Sequence, residues 1–371
     1  MARRTNRLSF ERLENRDLMS GGLLAKVINA GNGPFLFINE APGDAGEANA
    51  VQVTRLNNTT VRVTGLENSG GTVTRVNGHL AQNFTLGTAR DLVVALGAGD
   101  DQVRVLNAKF RNVFIGTSLG STPDNDTVDL TKVTTTGSVD IRTGEGADKV
   151  SISNSTIGDG PEDVTNIITG GGADQVFIHG SPSPFPGTTD PHGFMGDLVI
   201  NTGGGADRVE IGANDNTFVE VHGNLIVNTF QDITEPDADV VHLTQTFGDN
   251  LVAIDTGAGN DSIQMGGVHG NDIVLVAGVG DDTAVLNQVI SFNKMFLAMS
   301  EGNDNLNATD LEATNLLSID GGGGFDRLQE HQDGPIGQKE VTGWEVINGV
   351  LVTGSHAGTV GGLGGDGSLQ P

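Results

Sequence analysis

The feature that most constrains this chain is a repeat. The element Thr-Gly-x-Gly-x-Asp-x-apolar, varied at its first two positions, returns eight times between Leu96 and Leu328, and two degenerate copies end in Asp126-Thr-Val128 and Asp239-Val-Val241. The aligned aspartates are Asp101, Asp126, Asp148, Asp174, Asp207, Asp239, Asp261, Asp282, Asp304 and Asp326, so successive gaps are 25, 22, 26, 33, 32, 22, 21, 22 and 22 residues. A period of about 22 residues is the mark of a stacked repeat architecture rather than of several unrelated domains.

Each copy reads as strand, glycine turn, strand, bend and short third strand. Apolar residues stand nine and seven positions before most of the aspartates, as in Val252 and Ile254 before Asp261 or Leu317 and Ile319 before Asp326, and alternation of this kind is a strand signal. An apolar residue follows two positions after every aspartate, and a third often comes seven after, as Val268, Val289 and Leu311 do. So small a unit cannot bury its own apolar face, so neighbours must stack on it. The fold expected is all-β, a right-handed parallel β-helix (solenoid) of about ten coils. At about 4.8 Å per rung the rod would be on the order of 48 Å long. Glycine supplies the left-handed backbone angles of the turns.

The organisation expected along the chain is a disordered segment over 1–22, an N-terminal β cap with the first coils over 23–90, the β-helix over 91–353, and a glycine-rich disordered tail over 354–371. The runs 51–56 and 61–66 read as a hairpin capping the open end, which would otherwise recruit other chains. At the far end residues 341–347 read as the last rung, with Trp344 as its plug.

Composition narrows the function. The 371 residues hold 20 Lys+Arg against 47 Asp+Glu, a formal charge of -27, with no cysteine and 4% aromatics. Nucleic-acid affinity comes mainly from cations, so a nucleic-acid binder is excluded, and disulfides and thiolate chemistry are excluded with the cysteines. No apolar run reaches the roughly 18 residues of a membrane span.

Residues 8–20 resemble the N-terminal LEPR-XLL motif of large bacterial surface proteins. Leu13, Glu14, Arg16 and Leu18 match, while Asn15 replaces the proline and Met19 the second leucine. The resemblance implies a secreted or cell-surface address; the residues alone also read as a short amphipathic helix. The repeat itself resembles the nonapeptide of RTX (hemolysin-type) proteins, which implies Ca²⁺ held between neighbouring coils by turn carbonyls and aspartates. Asp101, Asp148, Asp174, Asp207, Asp261, Asp282, Asp304 and Asp326 are the ligands so implied, with Asp100, Asn260, Asp281 and Asn303 as additional donors. The family repeats in tandem every nine residues, whereas one turn per coil occurs here. Like charges stacked a rung apart repel by roughly 0.9 kcal/mol in water, which cations would reverse. The alternative is an Asx-type cap, each aspartate accepting backbone N–H groups in its own turn with no metal.

Parallel β-helices also carry polysaccharide lyases and hydrolases, so a carbohydrate-active enzyme is the competing reading. Between Lys149 and Lys294 the only cation is Arg208, which leaves a polyuronate lyase without its charge-neutralising groups. Paired carboxylates could serve a hydrolase, yet Asp100/Asp101 and Asp281/Asp282 already belong to the repeat. Gly116-Thr-Ser118-Leu-Gly120 matches a nucleophile-elbow pattern but leads into Ser121-Thr-Pro123, a turn rather than the helix an elbow needs. The histidines show no ligand-like spacing, although stacking could bring His222 near His242. The reading favoured is non-catalytic: an exported, calcium-binding solenoid with a structural or adhesive role, meeting surface or matrix polysaccharide or protein through the insertion 179–196.

Overall fold

Valine, isoleucine and leucine at every second position give each coil its strands, and parallel pairing between coils gives the fold. In this computed structural model of the chain, the described residues are 22–30, 33–42, 46–86, 90–118, 123–180, 193–212, 218–230, 236–331, 333–352 and 358–359. The LEPR-XLL-like segment, most of the C-terminal tail, residues 181–192 of the 179–196 insertion and residues 213–217 lie outside them. No helix occurs among the described residues, and the strands join almost entirely in parallel, one repeat apart.

Three stacks run through the molecule. The first lays Gln102–Phe110, Thr127–Thr135, Lys149–Ser153, Gln175–His179 and Arg208–Ile211 on one another in register. It continues through Val240–Asp255, Ser262–Val276, Thr283–Ala298 and Asn305–Ala313 to Arg327–His331. The second stack precedes each glycine turn and climbs from Asp91–Ala95 through Val139–Arg142 and Asp197–Asn201 to Leu316–Asp320 and Lys339–Thr342. The third has shorter strands and runs from 108–110 and 133–135 through Thr156–Ile157, Gly193–Phe194 and Val219–Val221 to 246–248, 268–270, 289–291 and 311–313. The all-β parallel solenoid expected from the repeat is therefore the fold, and the column two residues after each aspartate, from Val103 to Leu328, is at most 1% exposed.

The bend between the first and third stacks falls six residues after the aspartate. Asn107, Lys132, Asn154, Gln245, Gln288 and Asp310 occupy it with φ between 48° and 55°, and Gly267 takes it with φ 64°. Left-handed angles are uncommon for side-chain-bearing residues. Here the corner forces them, because inward positions change from two and four beyond the aspartate to seven and nine beyond it. Val103 and Val105 are thus followed by Ala108 and Phe110, all buried.

Two coils lacking the turn aspartate extend the ten that have it. At the N-terminal end Gly33–Glu40 lies parallel on Asp91–Ala95, and Ala50–Arg55 lies parallel on the first stack. The anticipated hairpin is present, since Ala50–Arg55 also pairs antiparallel with Thr60–Gly65, which pairs with Ala81–Thr85. Gly22–Ala30 covers Gly33–Glu40 in the same antiparallel manner. At the other end Trp344 is 6% exposed, with its indole N–H directed at the Ile319 carbonyl at 3.5 Å.

Candidate functional site: the aspartate column

All ten repeat aspartates stand in one column along the edge between the second and first stacks, and each is at most 2% exposed. The glycines before them allow this approach. Gly278 and Gly280 have φ of 101° and 142°, and a Cβ on either would collide with the carbonyl of Gly257 or Gly259 one coil away. The turn backbones are therefore stacked in contact, and the aspartate side chain turns inward beneath them.

Each inner carboxyl is tied to the previous coil. The Asp101 N–H donates to Asp126 Oδ1 at 2.8 Å, Asp126 N–H to Asp148 Oδ1 at 2.8 Å, and Asp148 N–H to Asp174 Oδ1 at 2.7 Å. The same bond joins Asp174 to Asp207, Asp207 to Asp239, Asp239 to Asp261, Asp261 to Asp282, Asp282 to Asp304 and Asp304 to Asp326, all at 2.8–2.9 Å. Asn49 N–H begins the ladder on Asp101, and Glu345 Oε2 ends it by accepting Asp326 N–H at 2.8 Å. The cap idea is right in chemistry and wrong in reach, since each bond spans two coils rather than closing one turn.

Where the residue before the aspartate is Asp or Asn, it forms a second, outward-facing ladder that runs the other way. Asn125 N–H donates to Asp100 Oδ1, Asp281 N–H to Asn260 Oδ1, Asn303 N–H to Asp281 Oδ1 and Phe325 N–H to Asn303 Oδ1, at 2.8–3.1 Å. Here the acceptor lies in the earlier coil. Ala147, Ala173 and Ala206 carry no acceptor, so the outer ladder lapses in the middle of the rod.

Burial shapes the electrostatics of the inner column. Burial first, and neighbouring carboxylates second, push Asp101 up to about 9 and Asp207 up to about 8. Asp174 and Asp282 rise to about 7, and Asp261 and Asp304 to about 6, again with burial as the leading cause. Repulsion along one exposed edge is thus the smaller part of the cost, and removal from water the larger. In several coils a buried threonine beside the carboxyl opposes the rise, Thr143 at Asp148, Thr169 at Asp174, Thr202 at Asp207 and Thr256 at Asp261, while the hydroxyls of Thr143, Thr169 and Thr256 donate to the carbonyls of Thr169, Thr202 and Ala277 in the next coil. Asp239 Oδ2 accepts from Thr229 at 2.5 Å. In the other nine repeat aspartates, Asp101, Asp126, Asp148, Asp174, Asp207, Asp261, Asp282, Asp304 and Asp326, Oδ2 is buried without a hydrogen-bond partner.

Those orphaned oxygens are where an ion would be sought. Among the described residues no three acidic or histidine side chains converge as a metal-holding group. Any Ca²⁺ in this column would draw most of its six to eight oxygens from turn carbonyls, with at most two carboxylates.

The features considered for catalysis do not assemble. His242 pairs in register with Glu210 and Gln264, whereas His222 Nδ1 lies 2.9 Å from Asp249 Oδ2 on the surface. Beyond Ser118 the described chain resumes at 123–126 as non-helical backbone and enters a strand at Thr127. A small cleft lies between Ile152, Ser155, Ile178, His179, Phe194 and Val219, and among the described residues no carboxylate lines it. No protein-family model, curated protein or solved structure matches this chain.

Proposed function

We propose that the chain is a non-catalytic β-solenoid with a structural or adhesive role at a bacterial surface or in its secreted matrix. The observation that carries this reading is the unbroken inner ladder from Asn49 to Glu345, which spends the molecule's most repeated side chain on joining coils. Carboxylates so committed and so buried are poorly placed to activate water on a polymer outside. The surface address rests on the LEPR-XLL resemblance, and contact with polysaccharide or protein is assigned to the 179–196 insertion. No helix among the described residues is long and apolar enough to cross a membrane.

A calcium-stabilised form of the same rod is the second reading, favoured by the unpartnered Oδ2 atoms of Asp261, Asp282, Asp304 and Asp326 in the most regular coils. Thermal melting with added Ca²⁺ and with chelator separates the two. A melt raised by calcium and lowered by chelator supports the ion, and an unchanged melt removes it while leaving the scaffold. The scaffold reading itself fails if the purified chain degrades a polysaccharide and loses that activity when a carboxylate outside the turns is replaced.

A further inference from the structure

The last coil points different chemistry inward from all the coils beneath it. In the second stack the inward column runs Ile273, Met295, Leu317 and then Lys339. In the first stack the inward column runs Met265, Leu286, Ala308 and then Glu330. Both apolar columns therefore end at the same rung, one in a cation and the other in an anion. The Lys339 side chain is 7% exposed; its Nζ donates to Asp333 Oδ2 at 2.6 Å and to Glu330 Oε1. Three charges fill the space that leucine and alanine fill one coil earlier.

The backbone edge at this end is blunted as well. Arg327–His331 pairs with a following strand only at Arg327 and Leu328, and the next free donor, Glu330 N–H, is taken by the Asn348 side chain at 2.9 Å. An open solenoid end is a template for another chain, and inward-pointing charge is one of the devices that close it. An apolar coil laid on this rung would take the triad further from water, and with one cation against two carboxylates it would bury a net negative charge that nothing compensates. Antiparallel strands cover both ends, Gly22–Ala30 and Thr60–Gly65 at the N-terminal one, and Gly358–Thr359 on Lys339–Thr342 with Val350–Leu351 on Val346–Ile347 at the C-terminal one; among the described residues only the C-terminal end adds an inward charged triad.

We propose that Lys339, Glu330 and Asp333 form an end stop, whose task is to keep a second copy of this chain from stacking on the C-terminal coil. This is independent of any surface partner and of calcium. The test uses the full chain carrying Glu330→Ala, Asp333→Ala and Lys339→Met together, which continues the apolar columns with residue types already used one and two coils below. Sedimentation velocity over a concentration series, with circular dichroism alongside, reads the result. The triple variant is expected to keep its β spectrum and to self-associate at least about tenfold more tightly than the parent, equivalent to about 1.4 kcal/mol. A folded variant with the parent's sedimentation overturns the proposal. Loss of the β spectrum overturns it too, since the triad would then hold the coil together rather than guard its end.

Discussion

Asp281 and Asp282 are neighbours in one turn, and each accepts a backbone N–H at 2.8 Å. Asp281 is exposed and bonds the coil above; Asp282 is 1% exposed and bonds the coil below. Their hydrogen bonds are equivalent in length, yet Asp282 is pushed up to about 7, chiefly by burial and then by the charges of Asp261, Asp304 and Asp281. The pair separates two quantities that sequence merges. An aspartate repeated every coil can be an inexpensive surface clip or a costly interior rail, and only the side of the turn it faces decides which.

The largest consequence of that difference is a dependence of stability on pH. A carboxyl with an unfolded pKa near 4 and a higher folded value holds its proton longer in the native state. Its burial costs nothing below pH 4, and the cost grows as pH rises, levelling off above the folded value. For this column the window opens near pH 4 and closes between about 6 for Asp148, Asp261 and Asp304 and about 9 for Asp101. Because the inner carboxyls all act in the same direction, the rod in chelator is expected to melt higher at pH 5 than at pH 9, with a steady fall between them. Each kcal/mol lost should lower the midpoint by about 2 °C. Differential scanning calorimetry across that range would show it, and a flat or rising profile would mean the carboxyls are not held in a dry interior.

Single substitutions sharpen the contrast at one rung. Asp282→Ala leaves the buried Asp261 N–H without an acceptor, which should cost about 1–3 kcal/mol at pH 5. At pH 8 the loss should shrink, because the variant no longer buries an acid that the unfolded chain would ionise. Asp282→Asn keeps Oδ1 as acceptor and should be close to neutral at pH 5 and stabilising at pH 8. Urea unfolding of the two variants at both pH values checks the pattern. Equal losses at pH 5 and pH 8 for the alanine variant would contradict the burial argument.

The inward alternation was readable in the chain because Val252 and Ile254, or Leu317 and Ile319, repeat with the aspartate as ruler. The column of candidate residues followed from the same ruler. The second corner was not readable by residue type, since Lys132, Gln245, Gln288 and Asp310 share only a left-handed φ of 49–55°. What marked it was the change of phase from even to odd positions after the aspartate. Coil 33–55 lies within the 23–90 span read as cap and first coils, but the aspartate ruler could not align its strands, because it lacks the Gly-x-Gly-x-Asp element and Asn49 contributes to the ladder through its N–H rather than its side chain. The direction of each aspartate was equally hidden: alternation assigns a face to strand residues, but a turn residue takes its face from backbone angles that Gly257 and Gly259 set.

The smallest effect belongs to the outer ladder, and its size tests the comparison from the other side. Asn303 accepts the Phe325 N–H at 3.1 Å and donates from Nδ2 to Asp281 Oδ1 at 3.0 Å, all at exposed positions. When Asn303→Ala removes both bonds, water replaces them, so the change should stay within about 0.5 kcal/mol and should not vary between pH 5 and pH 8. A loss as large as that of Asp282→Ala would show that the clip carries coil-to-coil cohesion and that burial is not what distinguishes the two columns. The rungs at Ala147, Ala173 and Ala206 already make this substitution naturally while their inner bonds remain at 2.7–2.8 Å. The inner rail thus persists where the outer one is missing, which is why the buried column is expected to dominate the energetics of the rod.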